Sequence, residues 1–302
     1  MKQVLLIATG GTIACRETEN GLSPTLTGAE LLDLLPGLQH ICKVEVCDLM
    51  NLDSTDLTAA DRAAIARTVW ENRSGYDGFV IAHGTDTLAY TAALLHHMLP
   101  GTDKPVVLTG SMLPMGVPGS DAPRNLLDAF RAAAAGRAGV FAVVHGKIIP
   151  GNHVFKRHSS EADAFLSVGA PPAGTIDETG RIHWEAPPQA AGEPSFVHAA
   201  DPRVLVIKLT PDLEPGFFSA LHGYPKVILE AFGAGGVPAR LEDAVRALIG
   251  SGTRVYLTTQ CIEGGVDLHK YEVGRRAEAM GAVSLGSRTT EDALAAIMCG
   301  EI

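Results

Sequence analysis

No stretch of this sequence is long and apolar enough to cross a bilayer. Runs such as Val4–Ala8, Val204–Ile207 and Val227–Leu229 fall far short of the ~20 residues a membrane helix needs. The apolar part of Met1–Ala8 is also shorter than a secretory h-region of roughly 7–15 residues, and it runs straight into Thr9-Gly10-Gly11-Thr12. A cytoplasmic location with no membrane partner is the expectation. Aromatic residues make up only 5%, and positive charge is in deficit: 24 Lys and Arg against 34 Asp and Glu, net −10. Nucleic-acid binding needs phosphate-neutralising charge and stacking faces, and no basic stripe supplies them, so no nucleic-acid partner is expected. Cysteine is sparse. Cys15, Cys42, Cys47, Cys261 and Cys299 are odd in number and dispersed, which favours reduced thiols over a disulfide framework. Cys42 and Cys47 have no second pair, and His145, His153 and His158 fit neither a helical nor a hairpin ligand set, so no metal is expected.

What is present is a core. Hydrophobic residues reach 46% and charged residues only 19%, over 302 residues, a length that suits two domains or one large one. Short buried-strand runs alternate with helical patterns. Val4–Ala8, Gly78–Ala82, Val106–Leu108 and Val140–Val144 read as strands. Ala59–Asn72, with Thr58 as N-cap and Asp61 three residues on, reads as a helix, as do Thr87–Leu99 and a segment entered at Pro123 that continues through Asn125–Ala135. Such alternation predicts βαβ units and an open, mostly parallel α/β sheet with flanking helices. Between Ala170 and Pro202 the texture changes, with prolines 171, 172, 187, 188 and 194 among Gly and Ala. Residues 1–185 are therefore read as an N-terminal α/β domain, 186–200 as a linker, and 201–302 as a second, smaller α/β domain. The smaller domain is expected to hold strands at Val204–Leu209, Val227–Phe232 and Val255–Thr258 and helices at Leu213–Leu221, Leu241–Ile249 and Thr290–Met298.

In open α/β sheets ligands bind outside the carboxyl ends of the strands. Three such ends carry glycine beside hydroxyl residues: Thr9-Gly10-Gly11-Thr12-Ile13-Ala14, His83-Gly84-Thr85-Asp86-Thr87 and Thr109-Gly110-Ser111. Glycine lets the backbone turn sharply and frees N–H groups to face a ligand, and the hydroxyls supply donors or nucleophiles. The bland alternative is that each Thr or Ser caps the following helix. Gly233-Ala234-Gly235-Gly236 follows a strand as a dinucleotide loop does, but it lacks the third glycine and an immediate helix, so no cofactor is expected.

The first two of these motifs resemble the two signatures of the bacterial-type L-asparaginases, and the chain is closest to the cytoplasmic type I group. Asp53-Ser54-Thr55-Asp56 is similar to that family's substrate-carboxylate loop, Lys104–Ser111 to the strand after the second signature, and Arg124-Asn125-Leu126 to the helix that follows. Gly151-Asn152-His153-Val154-Phe155-Lys156 is similar to the loop carrying the family lysine, and Thr259-Gln260-Cys261 and Gly233–Gly236 match further on. The resemblance implies hydrolysis of the side-chain amide of L-asparagine through an acyl-enzyme, with Thr12 as nucleophile and Thr85, Asp86 and Lys156 as a second catalytic group. It implies Gly11, Asp53, Ser54, Gly84 and Ser23 as substrate-binding residues, with Asp86 also taking the α-ammonium and Ser54 the α-carboxylate. Backbone N–H groups of Gly10–Thr12 and Gly84–Thr85 are candidates for an oxyanion hole. L-Glutamine, one methylene longer, is the competing substrate, and a homodimer or homotetramer is implied.

Against these stand structural readings: Ser54 and Thr58 as caps, Asp86 as a cap of the helix near Thr87, and Lys156 with Arg157 as a solvated loop pair. The sequence also departs from the family. Cys15–Thr27 is expected as the lid, yet no tyrosine lies between Thr12 and Tyr76, and Ser23 is the nearest hydroxyl. Gly236 stands where many relatives place an asparagine, and near Gly264-Gly265 only Glu263 offers a carboxylate. The family's catalytic group around Thr12, which many members complete with a lid tyrosine, is thus incomplete within one chain. A broad glutaminase-asparaginase, a catalytically weak amino-acid sensor and the related amidotransferase subunit are the competing readings.

Overall fold

The computed structural model describes residues 1–19, 21–185 and 192–302. These form two compact units, Met1–Ala199 and Ala200–Ile302. In chain order the first unit contains β1 (Gln3–Gly10), β2 (Cys15–Thr18), β3 (Gly21–Pro24), α1 (Gly28–Asp33), β4 (Lys43–Leu52), α2 (Ala59–Asn72), β5 (Gly78–Ala82) and α3 (Leu88–Met98). It continues with β6 (Pro105–Thr109), α4 (Ala122–Ala134), β7 (Gly139–Val144), β8 (Lys147–Pro150), β9 (Val154–Lys156), β10 (Phe165–Ser167), β11 (Gly174–Ile176) and β12 (Ile182–Trp184).

Eight of these strands make one sheet in the order β12-β11-β8-β7-β6-β5-β1-β4. The neighbours from β4 through β7 pair in parallel, and β8, β11 and β12 add an antiparallel margin. Helices cover the sheet, so β5 is buried at every position and reads as an unbroken apolar run. Val4, Leu6 and Val80 share one core with Leu31 of α1 and Leu126 and Phe130 of α4. α3 packs on β6 and β7 and against α2.

The chain leaves β1 for β4 on one side and returns across β1 to β5 on the other. The ends of β4, β1 and β5 therefore flank the point where strand order reverses, the crevice in which such sheets bind ligands.

The second unit holds β13 (Val204–Lys208), β14 (Lys226–Ala231), α5 (Glu242–Gly250), β15 (Arg254–Thr259), α6 (Glu272–Ala279), β16 (Val283–Ser284) and α7 (Thr290–Met298). Its four strands run parallel in sequence order. Val227, Leu229 and Leu257 pack with Val245 and Leu248 of α5 and Ala277 of α6.

Several expectations change. The segment read as linker divides: 186–191 lie outside the described residues, and the following stretch is held to the first unit. There the Ser195 and Val197 N–H groups donate to the Pro100 and Met98 carbonyls, and the Phe196 ring stacks on Trp70 at 5.7 Å. The proline-rich texture before it conceals β11 and β12, three-residue strands whose register comes from antiparallel neighbours rather than from their own pattern. Leu213–Leu221 is a 3-10 turn over Pro215–Leu221 rather than an α-helix. The five cysteines are all free. Among the described residues no group of His, Cys, Asp or Glu is arranged to hold a metal, and no helix is long and apolar enough to cross a membrane.

α2 begins where the sequence places it. The Thr58 hydroxyl accepts from the Asp61 N–H, and the Asp61 carboxylate accepts from the Thr58 N–H, closing a capping box. Thr58→Ala should cost about 1 kcal/mol and lower the melting temperature of the first unit by roughly 2–4 °C, with turnover unchanged. Differential scanning calorimetry beside an activity assay checks this, and a drop in activity would tie the start of α2 to the chemistry.

Candidate active site

The site begins with two glycines that no other residue can replace. Gly10, the last residue of β1, and Gly11 after it have φ of +97° and +76°, conformations that L side chains rarely adopt. The Gly11 N–H donates to the Leu52 carbonyl at the end of β4, at 2.9 Å. A Cβ on Gly11 would lie 2.2 Å from the Gly84 backbone nitrogen, and a Cβ on Gly84 would lie 2.6 Å from Ser54 Oγ. The ends of β1, β5 and β4 thus touch through Gly11, Gly84 and Ser54, with no room for a side chain at either glycine. Thr12 and Thr85 each follow one of the two glycines in contact. Thr12 opens a 3-10 turn and is half-buried, whereas Ile13 and Ala14 behind it are buried.

Around this contact the other loops are fixed in turn. Ser54 is 2% exposed, and its carbonyl accepts from Thr87 Oγ1 at 2.7 Å, tying the loop after β4 to the loop after β5. Asp53, not Ser54, is the cap of the turn Ser54–Asp56. Its exposed carboxylate accepts from both the N–H and the hydroxyl of Thr55, which hold its pKa below the usual range. The third loop closes from behind. A Cβ on Gly110 would lie 2.5 Å from the His83 carbonyl and 3.2 Å from Thr85 Cγ2. Buried Asn125 holds that loop by donating to the Gly110 carbonyl at 2.9 Å and to Asp121, while its own Oδ1 accepts from the His145 N–H.

Lys156 reaches this centre from 70 residues away in the chain. It ends β9 and pairs with Phe165 of β10 in a short antiparallel ribbon. Gly151, where the preceding 3-10 turn begins, lies so close to α3 that a Cβ there would meet the Ala92 carbonyl at 2.9 Å. Lys156 Nζ donates to Thr85 Oγ1 at 2.9 Å and to Asp86 Oδ1 at 2.6 Å. The lysine side chain is only 14% exposed, while the Asp86 side chain is 61% exposed, so the pair has one sheltered end and one end open to solvent. Lys156 is thus no solvated loop lysine, and its neighbour Arg157 is engaged separately by Asp163 at 2.7 Å. Nor is Asp86 the cap of α3. The N-cap there is Thr87, and it makes no side-chain cap bond.

The expected lid is a two-stranded hairpin, β2 against β3, in which Ser23 pairs with Arg16. Its base is anchored: the Thr25 and Leu26 N–H groups donate to the Ala14 carbonyl, and Asn51 donates to the Pro24 carbonyl at 2.7 Å. The contacts that join Gly11, Gly84, Ser54, Thr85, Asp86 and Lys156 do not include Ser23. In the second unit, Glu263 is exposed after β15, and Gly236 packs so tightly that a Cβ would meet Val273 at 3.0 Å. That contact, not a dinucleotide, accounts for the glycine.

One residue of the second signature carries no separate role in the sequence pattern. His83 is fully buried, with Nδ1 2.6 Å from the Gly84 carbonyl and Nε2 2.9 Å from Thr91 Oγ1. Burial pushes its pKa down to about 4. Thr91, one helical turn into α3, is the signal in the sequence that could have pointed to it.

A parallel α/β sheet with glycine-hydroxyl loops at its switch point, a lysine-carboxylate-threonine contact beside them and a smaller α/β unit after them define the class. The comparisons with known proteins agree. Two family models match, the asparaginase N-terminal domain over residues 3–190 and the glutaminase/asparaginase C-terminal domain over residues 203–300. An L-asparaginase from Thermococcus kodakarensis is 40% identical over 301 residues, spanning 98% of this chain and 92% of its own length. Its solved structure has a TM-score of 0.91, with 98% of this chain and 92% of that one covered. L-asparaginase I from Vibrio cholerae has a TM-score of 0.86 at 28% identity, with coverage of 100% and 94%. A component of the glutamyl-tRNA(Gln) amidotransferase from Pyrococcus furiosus is 33% identical, over 98% of this chain and 71% of its own. The chain belongs to the asparaginase family and is an amidohydrolase.

The close approach of the two loops can be tested by one methyl group. Gly11→Ala places it into the Gly84 backbone at a positive φ. It should cost more than about 2 kcal/mol and cut turnover over about a hundredfold, read by denaturant melts and steady-state assay. Near wild-type values would show that the two loops do not depend on this contact. A second test concerns acid. His83 is neutral when folded and has an ordinary pKa near 6.5 when unfolded, so below that value the unfolded chain binds more protons. The stability it protects is full above about pH 6.5 and is lost as pH falls towards 4, by about 3 kcal/mol at pH 4. His83→Asn should flatten that slope in denaturant melts at pH 7, 5.5 and 4.5, and an unchanged slope would mean that His83 takes up its proton at the same pH in the folded and unfolded chain.

Proposed function

We propose that this protein is an L-asparaginase that hydrolyses the side-chain amide of L-asparagine to L-aspartate and ammonia, without a cofactor. The observation that carries this reading is the contact of Lys156 with Thr85 and Asp86 beside the Gly11–Gly84 approach. Thr12 Oγ1 attacks the amide carbon, and an ester to Thr12 forms as the carbon–nitrogen bond breaks and ammonia leaves. Water then cleaves the ester and restores the hydroxyl. A threonine hydroxyl attacks only when a base removes its proton. Lys156 takes that proton through the Thr85 hydroxyl or a water, and returns it to the departing nitrogen. Asp86, open to solvent, offers its carboxylate to the substrate α-ammonium, and buried Ser54 offers its hydroxyl to the α-carboxylate. The Gly84–Thr85 and Gly10–Thr12 N–H groups receive the developing oxyanion.

The higher identity to the Thermococcus L-asparaginase than to the amidotransferase component supports free asparagine as the substrate. L-Glutamine adds one methylene, which a pocket discriminates by only ~1–3 kcal/mol, so activity on both is the second reading within the same chemistry. A catalytic group around Thr12 that is incomplete in one chain supports a homodimer or homotetramer, and a cytoplasmic location accords with the sequence.

Ammonia release from L-asparagine and L-glutamine tests the reading directly. Wild type should turn over asparagine at least tenfold more efficiently than glutamine, and Thr12→Ala should lose over about a thousandfold in kcat while melting normally. Binding by thermal shift without turnover would instead make this an amino-acid sensor. Light scattering should find a mass of at least twice the 31.6 kDa chain, and a fully active species at that single-chain mass would refute the oligomer.

A further inference from the structure

His83 is fully buried in the second signature, makes no contact with solvent, and is held from three sides. Its backbone N–H donates to the Thr109 carbonyl at 2.8 Å, its carbonyl sits where a Gly110 Cβ would be 2.5 Å away, and its ring bridges Gly84 and Thr91. A carbonyl only accepts, so the 2.6 Å contact to the Gly84 oxygen requires that Nδ1 carry the proton. In the neutral ring Nε2 is then bare and accepts from the Thr91 hydroxyl, itself fixed on α3. Burial, which lowers the pKa of the ring, keeps it neutral.

The Gly84 carbonyl belongs to the peptide that joins Gly84 to Thr85. In a trans peptide the carbonyl and the N–H point in opposite directions. Holding that oxygen against the imidazole therefore turns the Thr85 N–H to the opposite face of the peptide. We propose that His83 is a positioning residue for the reaction, fixing the Gly84 carbonyl and thereby aiming the Thr85 N–H as an oxyanion donor. This deepens the proposed amide hydrolysis and rests on it. Gly84 alone does not hold that orientation, because glycine leaves the peptide free to rotate, and its neighbour Gly11 supplies no side chain to restrain it. The imidazole restrains it without touching substrate.

Two substitutions separate the ring's two bonds. The side-chain nitrogen of Asn overlies Nδ1 and keeps the bond to the Gly84 carbonyl, whereas that of Gln overlies Nε2 and reaches only Thr91, there donating to the hydroxyl oxygen. His83→Gln should lower kcat roughly ten- to hundredfold with KM changed less than about threefold, because a misaimed oxyanion donor is felt mainly in the transition state. His83→Asn should stay within about fivefold of wild type in kcat. Equal impairment of the two, or a His83→Gln variant with normal kcat, would overturn the proposal. A readout on the wild-type protein needs neither substrate nor a stable variant. Nitrogen-15 NMR of the imidazoles should show a neutral, Nδ1-protonated ring for His83 from pH 7 down to about 5, and an Nε2-protonated or charged ring would overturn it. If wild type releases no ammonia from asparagine, the substrate reading fails on that assay, while the NMR result still decides the tautomer.

Discussion

Two backbone segments of this protein approach each other more closely than any side chain permits. Where Gly11 meets Gly84, a single added methyl would sit 2.2 Å from a backbone nitrogen. That contact sets the distance between the ends of β1 and β5, and so between the threonines that follow each glycine. It also requires Ser54 to lie where it does, since its hydroxyl fills the space against Gly84. The rest of the first unit supports this approach. Its parallel strands, covered by helices, fix the strand ends to which the loops attach, and side chains would be the weaker way to join loops from different strands.

Delivery of Lys156 is the second constraint. A lysine carries four rotatable carbons and much rotamer entropy, so it points usefully only when its backbone and its head are both held. Here the backbone is held by a short ribbon with β10 and by a preceding turn packed on α3, and the head by Thr85 and Asp86 together. α3 is thus shared. It follows the Asp86 loop directly, it carries Thr91 beneath His83, and it receives the turn that leads to Lys156. A displacement of α3 would disturb both sides of the candidate site at once.

The central strands and the loops at their ends were legible in the sequence because burial on both faces writes continuous apolar runs, and glycine marks where backbone must pass backbone. α2 was legible to the residue, since Thr58 and Asp61 form a local cap that owes nothing to the rest of the fold. Lys156 was legible only through family resemblance. Beside Arg157 in a loop, nothing in its own neighbourhood says that it turns inward to a partner 70 positions earlier. β8, β11, β12 and the β2–β3 hairpin were not legible, because short antiparallel strands take their register from neighbours. Asp53 has an exposed carboxylate that accepts from Thr55 in a local turn, and Ser23 takes its place in the β2–β3 hairpin.

The central claim is that the two touching loops present Thr12, not Thr85, to the substrate carbonyl, with Lys156 serving from the other side. Acid quench of the enzyme during turnover of L-asparagine, followed by peptide mapping by mass spectrometry, tests it most directly. The account predicts a β-aspartyl ester on the peptide containing Thr12 in the wild type and little or none in Lys156→Met, where loss of the base blocks the attack itself. An ester on Thr85, or steady wild-type turnover with every peptide unmodified, would contradict it.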